Sequence, residues 1–341
     1  MDTKHLGRQS VRFDFPPSIL AAASVVGKKE GEGPLKAYFD QISQDTKFGQ
    51  STWEKAESQM QSLALQEALK KAELAPNQID MLFAGDLLNQ CIGTSFAMRG
   101  TDIPFYGLYG ACSTMAESLS LAAMAVEGGF ANHAAAMTSS HFASAERQYR
   151  LPLEYGGQRT PTAQWTVTGS GAVILVPNSQ PPYIRGVTTG KIVDLCIADA
   201  NNMGAAMAPA FVDTVIAHFN DTGLGPADYD LIVSGDLGSV GKELALDLFR
   251  REGYSMGGKL EDCGLLVFDP DVQDVHAGGS GCGCSAVVLC GYLLDKLRTR
   301  KYKNILFCGT GALLSPVSTQ QGESIPAICH AVAISMEGGC I

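Results

Sequence analysis

The sequence predicts an α/β fold built from two similar halves. Three observations carry that prediction. A sequence frame occurs twice, short apolar strand-like runs alternate with helices, and the composition is globular, with 45% hydrophobic and 18% charged residues among 341. A chain of this length hides roughly three quarters of its unfolded surface on folding, ample for a large core.

The repeated frame comes first. One copy runs from Leu74-Ala75-Pro76 through Asp80 to Gly85-Asp86-Leu87, the other from Leu224-Gly225-Pro226 through Asp230 to Gly235-Asp236-Leu237. Both read L-x-P-x-x-x-D-φ-φ-φ-x-G-D-L, with φ apolar. Agreement over so many specified positions points to duplication. In the first copy an amphipathic helix opens after Ser51 and Thr52, good N-cap residues, and places Met60, Leu63, Ala64, Ala68 and Ala72 at near-helical spacing. Pro76 ends it, Met81 to Ala84 is a strand, and Gly85-Asp86 breaks the strand. In the second copy Phe211 to Phe219 reads as helix and Leu231 to Val233 as strand.

A second element recurs. Tyr109-Gly110-Ala111-Cys112-Ser113 leads into an apolar helix from Met115 to Val126, closed by Gly128-Gly129 and followed by a strand from Ala134 to Met137. In the later half, Gly279-Ser280-Gly281-Cys282-Gly283-Cys284 leads into a helix from about Ser285 to Lys296, and Asn304 to Cys308 is the strand. Short buried strands alternating with helices imply parallel β-α-β units. Two such units suggest two sheets sharing a buried helical layer. Proline clusters at Gln180-Pro181-Pro182, which places the halves at 1–180 and 181–341.

Charge and cysteine content exclude several classes. The net charge is −10 and no Lys/Arg block stands out, which argues against a nucleic-acid binder. The 10 cysteines are scattered and several sit in apolar runs, the pattern of reduced thiols. Cys282 and Cys284 form C-x-C without the second ligand pair of a zinc knuckle, so no metal site is expected. The N-terminal stretch lacks the apolar segment of a secretory signal. The longest apolar run, about Ser285 to Leu294, falls short of the ~20 residues a bilayer span needs.

The motifs carry a family resemblance. Gly110-Ala111-Cys112, ahead of an apolar helix, resembles the nucleophile turn of the thiolase superfamily, which includes the ketoacyl synthase III enzymes. Thr168-Gly169-Ser170-Gly171-Ala172-Val173-Ile174-Leu175 resembles that family's G-D-G-A-x-A-x-x-L strand. The likeness covers nearly the whole chain. It implies a thiolase-like duplicated α/β fold, each half with a mixed sheet, layered α-β-α-β-α, commonly a homodimer joined through a sheet edge. A narrower likeness rests on Arg12-Phe13, the turn from Tyr109 to Thr114 and the glycine-rich loop from Ala277 to Cys284. It is to a family of stage V sporulation proteins of spore-forming bacteria. It implies work beside other stage V membrane proteins, peripheral at the forespore or spore inner membrane, moving dipicolinic acid as its calcium chelate into the developing spore. The ligand's identity rests on the resemblance alone.

Condensing chemistry needs a Cys thiolate of lowered pKa, an oxyanion donor and a proton shuttle. Cys112 stands where the resemblance puts the nucleophile. Its partners are missing: Ser234-Gly235-Asp236-Leu237 holds no His where the ketoacyl synthase III pattern has one, and Ala277 to Ser285 holds no Asn. Cys308-Gly309-Thr310-Gly311 is an imperfect match to the thiolase C-x-G. Losing members of such a set costs orders of magnitude in rate. The expectation is therefore a non-catalytic protein without a cofactor of its own, whose cleft binds an anionic ligand. The alternative is an acyl-transferring enzyme that uses Cys112 with His276 as stand-in. The residues expected at the ligand are Cys112, Asp86, His141, Asp236, His276, Arg159 and Ser280. The two aspartates are placed to accept hydrogen bonds or to face a calcium ion, and Arg159 to supply positive charge. His133 is expected to be structural.

Overall fold

The computed structural model describes residues 4–149, 159–339 and 341. Ten strands form the core. They are β1 (Ser18–Val26), β2 (Met81–Gly85), β3 (Phe105–Leu108), β4 (Ala134–Ser140), β5 (Gly169–Val176), β6 (Tyr183–Thr188), β7 (Leu231–Ser234), β8 (Leu260–Asp262), β9 (Asn304–Ala312) and β10 (Ala327–Ser335).

The first five make one sheet in the order β3-β2-β4-β5-β1, and the second five repeat it as β8-β7-β9-β10-β6. In both, the strand carrying the repeated frame lies parallel to its two neighbours, and the remaining pairings are antiparallel. Each sheet is mixed, as expected. A single pairing, Tyr183 with Ser18, joins them edge to edge. The short strand Ser10–Arg12 adds to β6, so the N-terminal segment reaches the second sheet.

The helices fall in three layers. The helix α1 (Trp53–Ala72) covers β1 and β5 of the first sheet, and α3 (Met203–Thr222) with α4 (Gly238–Arg251) covers the second. Between the sheets lie α2 (Thr114–Glu127) and α5 (Cys282–Val287), the latter continuing through a π-turn over Val288–Leu293. The middle layer is apolar all round, as burial on both faces requires. All six residues of α5 are buried. The layering is α-β-α-β-α.

Local chemistry explains the boundaries. Thr52 caps α1, its hydroxyl accepting from the Lys55 amide at 3.3 Å. The helix α3 begins at Met203, ahead of the expected Phe211. Asn202 caps it and Pro209 lies inside it. Proline reads as a stop signal in sequence, which hid the earlier turns. The shared Asp of the repeated frame has the same task twice. Asp80 Oδ2 accepts from the amides of Asn132 (2.7 Å) and His133 (3.0 Å), and Asp230 Oδ2 accepts from those of Lys303 (2.7 Å) and Asn304 (3.0 Å). Each carboxylate pins the start of the neighbouring parallel strand, so His133 is at a structural position.

His218 ties α3 to the second sheet. Its ring nitrogens pair with the Thr188 hydroxyl on β6 (2.8 Å) and the Tyr229 hydroxyl before β7 (2.6 Å). Burial holds this imidazole down at about 4, from an ordinary 6.5. The unfolded chain therefore binds one more proton than the folded one between those values, and stability rises with pH across that window. The 2.5-unit gap corresponds to about 3 kcal/mol from this group. His218→Gln is expected to flatten the rise in stability between pH 4 and 6.5, measured by denaturant unfolding at several pH values. An unchanged slope would show that another group controls the acid limb.

Candidate functional site

The carboxyl ends of the parallel strands, where α/β folds put their ligands, converge on Cys112. The polypeptide turns sharply there. Ala111 sits in the left-handed region at φ 51°, strained for a residue with a Cβ, and Cys112 follows in a short 3₁₀ turn that runs into α2. Two close approaches fix this turn against β9. A Cβ on Gly311 would stand 2.7 Å from the Gly110 carbonyl oxygen, and one on Gly309 would meet Ala116 at the same distance. Only glycine lets the strand pass so near.

Ser280 arrives from the other half. Gly279–Ser280 pairs in parallel with Trp165–Thr166 as a two-stranded ladder, and Gln164 Nε2 donates to the carbonyls of Asp236 (2.7 Å) and Gly279 (2.9 Å). Gly281, at φ 98°, then swings the chain into α5.

Asp236 is the hub. Its carboxylate is fully buried. Oδ2 accepts from the Ser280 hydroxyl (2.9 Å) and the Gly281 amide (3.0 Å), Oδ1 from the Thr310 hydroxyl (2.8 Å). The Cys112 thiol lies beside this carboxylate, and each shifts the other's ionisation. Burial raises the Asp236 carboxyl above its ordinary range, opposed by these hydrogen bonds. Burial, then the Asp236 charge, pushes the Cys112 thiol well above its ordinary value. A nucleophilic cysteine needs the reverse, a neighbouring cation or an imidazolium that favours the thiolate. The Gly281 amide works the other way and lowers the thiol, as the smaller influence.

A cavity of about 360 Å³ opens beside Cys112. Leu87 and Asn89 after β2, Tyr109 and Cys112 in the turn, Met203 at the start of α3, and Ser280 line it, closed by the loop from Ala312 to Ser318 after β9. Tyr109 donates to Asn89 Oδ1 at 3.2 Å. Among the described residues the lining holds hydroxyls, an amide and a thiol but neither histidine nor lysine nor arginine. Among the described residues no group of three His, Cys, Asp or Glu side chains is placed to hold a metal ion.

Of the residues expected at the ligand, the fold brings together Cys112, Asp236 and Ser280. Asp86 stays apart. Its oxygens accept from the Leu88 amide (2.8 Å) and from the amide (2.7 Å) and hydroxyl (2.6 Å) of Thr94, so it organises the loop after β2. The frame repeats, but its last Asp has diverged in use. His141 lies elsewhere, Nε2 on the Thr46 carbonyl at 2.8 Å. His276 is bonded to the Thr160 carbonyl (2.6 Å) and Asp274 (3.1 Å), outside the Cys112 cavity, and so is no stand-in base. Arg159 pairs with Asp274 at 2.9 Å and stacks on Trp165, contributing no charge to the lining. Cys308 is buried in β9 and absent from the lining. Asn89, Met203 and the 312–318 loop escaped the sequence reading, and Tyr109 and Thr310 were read as parts of motifs without a place at the ligand. For Asn89 and Tyr109 the one legible signal is position, just beyond strand ends.

Residues 7–335 match the family described as Stage V sporulation protein AD. The chain belongs to this family. The match extends to the Stage V sporulation protein AD of Bacillus subtilis (strain 168), 46% identical over 336 residues, covering 98% of this chain and 99% of that protein. Among solved structures, 3-oxoacyl-[acyl-carrier-protein] synthase III from Aquifex aeolicus VF5 superposes with a TM-score of 0.58 at 12% identity, covering 94% of this chain and 99% of that one. Cerulenin-bound OleA from Xanthomonas campestris gives 0.60 at 14%, covering 94% and 97%. These enzymes share the thiolase-like fold, and at such identities the likeness shows the fold alone. The family member described here thus shares this fold and has a buried carboxylate beside its cysteine.

The thiol–carboxylate contact makes a measurable prediction. Asp236→Asn removes the charge that disfavours the thiolate. Alkylation of Cys112 by iodoacetamide at pH 8, followed by mass spectrometry of its peptide, is expected to be slow in the parent and to accelerate about tenfold or more in the variant as the opposing charge is removed. Equal rates would show that Asp236 does not control the thiol.

Proposed function

We propose that this chain is a non-catalytic receptor for dipicolinic acid, taken up with its calcium ion during sporulation, and that the Cys112 cavity is the binding site. The observation that carries the reading is the buried Asp236 carboxylate against the Cys112 thiol. It occupies the place where a condensing enzyme needs an activating partner, and it disfavours the thiolate. The cavity itself persists, at the lower end of the ~300–1,000 Å³ common for small-molecule sites. The Asn89 side-chain amide can donate to a carboxylate oxygen, while the Ser280 and Tyr109 hydroxyls already donate to Asp236 and Asn89, and the amino end of α2 adds a favourable partial charge. Among the described residues the lining holds no cation to balance a free dianion; its calcium chelate carries its own compensation.

The family name supports a role in sporulation. No helix among the described residues is long and apolar enough to cross a membrane. Contact with the spore membrane therefore goes through partner proteins, in this reading the other stage V proteins. We also propose a homodimer through β3. That strand is a sheet edge with one neighbour, and Tyr106 on it is 57% exposed beside Tyr109 at 56% and Phe96 at 46%. Unpaired edges with apolar side chains invite pairing with a second copy.

Acyl transfer by Cys112 remains the second reading, favoured by its place in the turn before α2. Calorimetry separates the two. Dipicolinate with calcium is expected to give saturable heat, and Cys112→Phe, which fills the cavity, to weaken it by about tenfold or more. Incubation with acyl-CoA of several chain lengths is expected to leave the Cys112 peptide mass unchanged. An acylated Cys112 would replace the receptor reading with the enzymatic one. For the assembly, light scattering is expected to give twice the chain mass, and Tyr106→Lys to shift it toward the monomer.

A further inference from the structure

The seam between the two sheets leaves part of one strand edge uncovered. Tyr183 pairs with Ser18, and the Ile19 amide donates to the Pro182 carbonyl at 2.8 Å. Farther along β1, Val25 and Val26 pair with Gln41 and Ile42, and the Ser24 amide donates to Asp40 at 2.9 Å. Between these covers, beside residues 20–22, a cavity of about 520 Å³ opens. Its walls are residues 18–22, Val176 at the end of β5, residues 179–181, Lys71 from the last turn of α1, and Arg298. Leu175, next to Val176, pairs with Ala134 at the start of β4, so this is the end of the sheet opposite the Cys112 site.

Among the described residues two cations line the cavity and no carboxylate does. Lys71 Nζ donates to the Ala22 carbonyl (2.9 Å) and to Asp40 (2.5 Å), which leaves one N–H. Arg298 closes the helical turn Leu294–Arg298 and makes no hydrogen bond and no ion pair among the described residues. The acids near it are engaged elsewhere, Asp295 with Lys296 at 3.0 Å and Asp40 with Lys71. Burial lowers the Arg298 guanidinium from its ordinary value. A partly desolvated cation without a counter-ion is stabilised when an anion arrives.

The backbone adds a donor. The Ala22 carbonyl points to Lys71, away from β5, and in an antiparallel ladder a residue's amide points the same way as its carbonyl. The Ala22 amide therefore faces the open edge. A bulge at Leu20 breaks the register with β5 and leaves this side chain 43% exposed at the cavity, where Ile19 and Val176 extend the apolar wall.

We propose that this cavity binds a small phosphate monoester. The Arg298 fork takes two phosphate oxygens, the remaining Lys71 N–H and the Ala22 amide serve the third, and Ile19, Leu20 and Val176 meet the organic group. A guanidinium matches phosphate with two parallel hydrogen bonds. The monoester carries close to two charges near neutrality, which balances two cations. A carboxylate brings one charge and two oxygens, too few for these donors. The volume suits a small molecule. The proposal does not depend on the Cys112 reading.

The test titrates phenyl phosphate with the full chain and follows its phosphorus NMR line. Saturable broadening is expected, with affinity about tenfold lower in Arg298→Gln and partly restored in Arg298→Lys. Arg298 has no bonded partner to lose, so circular dichroism is expected to stay that of the parent. Benzoate at equal concentration is expected to displace little of the probe. Phosphatidylglycerol vesicles are expected to displace none, which separates a free phosphate ester from a lipid headgroup. Dipicolinate with calcium is expected to leave the titration unchanged, which separates this site from the first. Broadening without saturation, equal affinity in Arg298→Gln, or displacement by benzoate, vesicles or calcium dipicolinate would each overturn the proposal.

Discussion

A carboxylate without access to water organises the centre of this molecule. Asp236 follows β7, binds the Ser280 hydroxyl, the Gly281 amide and the Thr310 hydroxyl, and stands beside the Cys112 thiol. These partners come from three other elements, so one side chain fixes the relative positions of the nucleophile turn, β9 and the entry to α5. A buried carboxylate is tolerated only when its lone pairs are occupied. Here two hydroxyls and an amide occupy them. The second consequence is chemical, since burial together with this charge keeps the thiol protonated.

Duplication supplied the scaffold, and divergence supplied the site. Asp80 and Asp230 still do the same job at equivalent strand ends, because pinning a parallel neighbour is needed in both sheets. Asp86 and Asp236 also began as equivalents in the repeated frame. Asp86 binds within the loop after its own strand, whereas Asp236 binds the glycine-rich turn and β9 of its half and stands beside Cys112 of the other. The middle helices α2 and α5 meet there, which is why the cleft lies at the interface of the repeats and not inside either one.

The cavity beside Cys112 is lined mostly by apolar side chains, Leu87, Met203, Leu313 and Leu314 among them, with a few hydroxyls, an amide and a thiol and, among the described residues, no charged group. Neutral or self-compensated ligands suit such a lining. It lies near chain segments that leave the carboxyl ends of strands, the common location for ligands in α/β sheets.

The sequence by itself determined the fold. Alternating strands and helices, the repeated frame and the glycine positions are local signals, set by backbone sterics and periodicity, and they gave the two sheets and the middle layer. It also determined that Cys112 stands before a helix without the usual histidine and asparagine. Tertiary structure alone decided which distant residues share a cavity. Asp236 and Asp86 carry the same local pattern, yet only one reaches the cysteine, and His276, Arg159 and His141 fall beside other partners. Hydrogen bonds between segments far apart in the chain, such as Ser280 to Asp236 and Gln164 to Gly279, settle that grouping, and no local pattern encodes them.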